Sequence, residues 1–106
     1  MRIDIDFPIF SSTPSPEGVI SGKIEVAALP RVGEIISFYT APNGSIFPKT
    51  SSFDPLLKVE NVIHNATGQN TALQLQDVIL PNKQSVAEVT AFLEQGFCLF
   101  FDPVSE

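Results

Sequence analysis

His64 is the only histidine of the chain and Cys98 the only cysteine. Those two facts remove most nucleophile–base arrangements. They also remove most zinc sites, which take three or four His, Cys or carboxylate ligands. Asp77 is the nearest acidic residue that a matched strand brings toward His64, and Arg31, in "LPRVGE", is a cation at a strand entrance whose simplest partner is Glu34. Converging, His64, Asp77 and Arg31 would make a small polar site for a ligand or weak acid–base chemistry. Asp4 and Asp6 share one face of "RIDIDF", yet two carboxylates fall short of the six or more oxygens a hard cation takes. The chain has no GxSxG, no P-loop and no GxGxxG. Cys98 lies in the apolar run "FCLFF", where a thiol is expected to be buried and inert. No catalytic residue, metal or cofactor is therefore expected, and the chain reads as a non-enzyme.

Composition narrows the partners. A chain of 106 residues, 43% hydrophobic with nine Phe, is expected to form one domain over 1–106 with a core of its own. With 17% charged residues it lacks the high charge of disordered chains. Twelve acidic residues against six basic ones give a formal charge of −6, and Arg2, Lys23, Arg31, Lys49, Lys58 and Lys83 are scattered without a run. Nucleic-acid affinity comes largely from Lys and Arg on phosphates, so DNA and RNA are not expected partners. No apolar run has the length of a membrane span, and "MRIDIDF" has no apolar leader segment. With a single unpaired cysteine this points to a cytoplasmic setting.

The elements follow from period and punctuation. "RIDIDF" alternates Ile3, Ile5 and Phe7 with polar residues, as a half-buried strand does. "PIFSSTPSPEG" is expected to be a long loop, "VISGKIEVAAL" a strand with Gly22 as a bulge, and "EIISFY" another strand. "TAPNGSIFPKTSSFDP" reads as a second long loop, whose Phe47 and Phe53 either tuck beneath it or form an exposed patch. "LKVENVI" and, sixteen residues later, "LQLQDVI" carry one pattern, joined by "ATGQN". That is the signature of a matched antiparallel hairpin, with bends near Glu60-Asn61 and Gln76-Asp77 where the alternation breaks. Ser85 and Glu88 form a capping box, and Val86, Val89, Phe92 and Leu93 recur at helical spacing up to Gly96. This predicts a helix over about 85–95, followed by "FCLFF" as a short, buried last strand. The class is mainly β (α+β), five to six strands with one C-terminal helix, shaped as a small barrel.

The run "LPRVGEIISF", followed by "LLKVENVIH" and "LQLQDVIL", resembles small SH3-like β-barrel proteins of bacteria and mobile elements over roughly residues 29–80. In those a P-x-V-G-(D/E) step opens a strand, and a hairpin ending like V-x-x-V-x-H follows, matched here by Val59, Val62 and His64. The resemblance implies an architecture and no activity, and an OB-like barrel remains open beside it. The function expected is a non-enzymatic interaction module. It docks on a protein partner, or a second copy, through a sheet edge or the two long loops bearing Phe10, Phe47 and Phe53. The alternative is a small-molecule-binding barrel or weak enzyme built on His64, Asp77 and Arg31.

Overall fold

The computed structural model describes residues 1–11, 16–48, 52–68 and 71–103. Strands β1 (Arg2–Ser11), β2 (Pro16–Glu25), β3 (Ile35–Ser37), β4 (Leu56–Ile63), β5 (Ala72–Leu75) and β6 (Val78–Leu80) precede helix α1 (Lys83–Phe97) and strand β7 (Phe100–Pro103). The sheet runs β3-β4-β5-β1-β2-β7, with β6 also on β1, and it is not closed. The mainly-β class with one C-terminal helix agrees with the reading of the sequence. β1 pairs parallel with β5 and β6, and every other pairing is antiparallel.

One face of the sheet is the core. Ile3, Ile5, Phe7 and Ile9 alternate inward from β1 and meet Leu57, Val59, Leu73 and Leu75 of the hairpin. Val86, Val89, Phe92 and Leu93 of α1 belong to the same buried cluster. Phe38 stands 6.1 Å from Phe7 and 5.2 Å from Phe97, so a row of rings carries the core from sheet to helix. Packing of this kind, more than helix propensity, holds a fifteen-residue helix in place.

The hairpin irregularities are bulges. Between Val59↔Leu75 and Asn61↔Gln74 the β4 strand spends one extra residue, which turns Val62 toward the core and leaves Ile63 exposed. From Ile5↔Leu73 to Ile9↔Val78, β1 advances four residues and its neighbour five, so an extra residue sits near Gln76-Asp77. Pro8 lies opposite that break. The Asp4 N–H donates to the Thr71 carbonyl, so even-numbered amides of β1 face β5 and β6. A proline at Pro8 therefore lacks its donor where no ladder partner waits.

Several expectations are corrected. The segment from Pro8 to Ser11 is strand, because β2 and β6 pair with it on both sides. Gly22 is not a bulge, since the β1–β2 register shifts between Ile9 and Phe10; at φ +148° it instead admits Leu99, whose Cδ2 a Cβ would meet at 2.8 Å. The helix starts before Ser85, because the Asn82 side chain accepts from the Ser85 N–H (2.8 Å) and caps it one turn earlier. It ends past Gly96, with Cys98 in the left-handed region at φ 57° and its thiol exposed. "FCLFF" is thus the helix end and the start of β7, and Phe100 is 69% exposed on the far face of the sheet.

Candidate functional site

A groove of about 1670 Å³ opens beside the end of β2. It is lined by Gly22–Val26 at the end of β2, by the connection that follows, by Ile35–Ser37 of β3, and by Phe97 and Cys98 at the end of α1. The backbone makes this groove. Among the described residues β7 pairs with β2 only from Gly18 to Ser21, so β2 continues for four residues with one side unpaired. Among the same residues β3 pairs with β4 alone, so its other side is unpaired too.

Hydrogen-bond alternation tells which groups face the groove. Val26 N–H donates to the Met1 carbonyl (2.8 Å) and the Met1 amine to the Val26 carbonyl (2.7 Å), making Met1–Val26 a doubly bonded pair. Stepping by two along an unbroken register, Ile24 also faces β1, and Lys23 and Glu25 turn their N–H and C=O groups toward the groove. On β3, Val59 N–H donates to the Glu34 carbonyl (2.8 Å) and Phe38 N–H to the Pro55 carbonyl (2.8 Å). By the same alternation Ile35 and Ser37 present their backbone groups to the groove. Gly33, at φ +92°, makes the entry: its N–H donates to the Val59 carbonyl (2.9 Å), so two residues address one, as at a bulge.

The floor and the rim differ. Ile24 is 9% exposed and, with partly buried Leu29, Ile36 and Phe97, gives an apolar floor. Arg2, Lys23 and Arg31, three of the chain's six cations, stand on the rim with Asp4, Glu25 and Glu34. Lys23 Nζ donates to Asp4 Oδ1 at 2.6 Å, and Arg31 stands 3.8 Å from Glu34, whose carboxylate also accepts from the Arg31 N–H (2.6 Å). The rim is balanced in charge on a molecule of −6.

The residues singled out from sequence scatter over the fold. Of the three that the alternative reading needs together, Arg31 lines the groove, where its pairing with Glu34 is the one anticipated. Asp77 lines a separate depression of about 250 Å³ on the far face, with Asp6, Glu60 and Gln74. His64 lines neither. It follows Ile63, which pairs with Ala72, so His64 and Asp77 stand at opposite ends of β5. The triad is not assembled, and the small-molecule reading built on it loses its site.

The loop aromatics pack inward. Phe53 is 6% exposed and Phe47 half-buried, stacked 5.9 Å apart, with Phe47 edge-on to Phe92 at 5.6 Å. They tuck beneath the loop, the first of the two alternatives. Phe10 is half-buried on β1, beside Ile79. Lys23, Glu25, Ile35 and Ser37 were missed because what they offer is main chain, which side-chain motifs do not report. Strand lengths carried the available signal: a ten-residue β2 cannot be covered by a four-residue β7.

Asp6, in the far-face depression, has its carboxyl pushed above the ordinary value by burial. Among the described residues no helix is long and apolar enough to cross a membrane, and no three His, Cys, Asp or Glu side chains cluster as metal ligands. Comparison with family models, with curated proteins and with solved structures gives no match.

Proposed function

We propose that this protein is a non-enzymatic interaction module that receives an extended segment of a partner protein between β2 and β3. One observation carries the reading: a single groove has two unpaired strand edges in its walls, with backbone groups of Lys23, Glu25, Ile35 and Ser37 turned into it. A peptide strand added to such an edge gains main-chain hydrogen bonds, and its alternate side chains find the floor. An unpaired edge left open invites unwanted pairing, and charged residues such as Lys23 and Glu25 are how edges are guarded against it. A strand added in the gap would bring the open sheet toward the small SH3-like barrel that residues 29–80 resemble. A cytoplasmic setting fits the free, exposed Cys98.

The test uses a phage-displayed library of random linear peptides selected on the folded chain. Glu25→Pro and Ser37→Pro each remove an N–H that faces the groove while leaving the β1 and β4 ladders intact. Selected peptides are expected to bind at least one of these variants about fivefold more weakly or worse, the effect of losing a backbone hydrogen bond. Circular dichroism verifies that the variants fold. Failure to select any peptide, or peptides indifferent to both prolines, contradicts the reading.

A further inference from the structure

The groove also constrains its occupant. From the antiparallel pairings of β3 with β4, β4 with β5 and β1 with β2, and the parallel pairing of β5 with β1, β2 and β3 run in opposite directions. A strand between them is therefore antiparallel to one wall and parallel to the other. Resting on the strand-addition reading, we propose that the occupant is a partner segment running antiparallel to β2 and carrying the order basic–apolar–acidic, with the basic residue across from Glu25 and the acidic one across from Lys23.

Direction follows from β7. That strand already pairs antiparallel with β2 through Ser21↔Phe100 and stops there. A segment across from Glu25 and Lys23 in the same direction lies in line with β7 and continues its ladder, and antiparallel pairing is the stronger kind per residue. The phase fits as well. Lys23 and Glu25 both turn their backbone groups outward, so each exchanges two hydrogen bonds with the residue opposite.

Order follows from the side chains. Lys23 and Glu25 project to the outer face of the sheet, beside Asp4 and Arg2 in the neighbouring strand. An acidic residue across from Lys23 extends the row begun by the 2.6 Å Lys23–Asp4 pair, and the lysine ammonium has donors left for it. Glu25 lies across from Arg2 in the register and pairs with the Met1 amine at 3.2 Å, and its carboxylate, exposed on the side of the open edge, is free to take a basic residue there. Opposite-charge pairs facing each other across strands are favourable, and like charges are not. Between them the occupant's middle residue points inward beside Ile24, over Leu29, Ile36 and Phe97, so it is apolar.

The experiment selects a random linear peptide library on the wild-type chain and on the charge-exchanged variant Lys23→Glu/Glu25→Lys, reading consensus by sequencing. Basic–apolar–acidic on the wild type and acidic–apolar–basic on the exchanged variant are the expected results. If the exchange prevents folding, Lys23→Gln/Glu25→Gln takes its place, and it should keep the apolar centre while losing charge preference at the flanks. Proline-sensitive peptides that show no charge order, or the reverse order on the wild type, overturn this inference and leave strand addition standing. No selected peptide at all removes the strand-addition reading itself. A wild-type chain that sediments as a dimer and becomes a monomer on Glu25→Pro identifies a second copy as the occupant and overturns the proposal.

Discussion

Phe92 is 5% exposed, and its ring meets Phe47 and Phe97 edge-on at 5.6 Å each. Truncating a buried aromatic removes its transfer energy and leaves a cavity, so Phe92→Ala is expected to lose about 3–5 kcal/mol in chemical denaturation. A loss under about 1 kcal/mol contradicts that packing. Asp6 gives a prediction of opposite sense. Because burial raises its folded pKa above the unfolded value, the folded state holds the proton more tightly. Its contribution to stability therefore falls as pH rises from the unfolded value through the raised one, and the cost is complete at neutral pH. Asp6→Asn should melt higher than wild type near about pH 7 and lose the advantage toward about pH 3, and a gap independent of pH contradicts this. At this scale the core was legible and the site was not. Ile3, Ile5, Phe7 and Phe92 betray themselves by spacing. The burial of Phe53 depends on a loop folding back onto α1, which no local pattern records.

Among the elements, β7 owes its place to glycine. A Cβ at Gly18 would stand 2.5 Å from the Asp102 carbonyl oxygen and 2.6 Å from the Phe101 ring, so the edge strand lies flat on the backbone of β2. Gly18→Ala must push β7 away, and we expect a loss of about 1–3 kcal/mol with faster amide exchange in residues 100–103. Unchanged stability and exchange would show that β7 accommodates the methyl freely. The matched phrases around Val59 and Leu75 told truly of a hairpin and of where it bends, because a bulge leaves a break in the alternation. Helix ends were displaced because two signals competed. Asn82 offered a cap before Ser85, and Gly96 serves close packing, its absent Cβ leaving room for Ala41 Cβ at 2.8 Å.

For the whole molecule the decisive property is that the sheet does not close. Composition and period identify strands and their inner faces; they do not say which edges remain open, since that depends on how far β7 and β3 reach. Recognition through those edges is tested directly by amide hydrogen exchange read by NMR. In the free chain the N–H groups of Lys23, Glu25, Ile35 and Ser37 should exchange quickly, while those of Ile24 and Ile36, already bonded within the sheet, are protected. With a selected peptide bound, Lys23 and Glu25 should become protected as strongly as Ile24. A bound peptide that leaves the exchange of all four groove-facing amides unchanged would show that recognition lies elsewhere on the molecule and contradict the account.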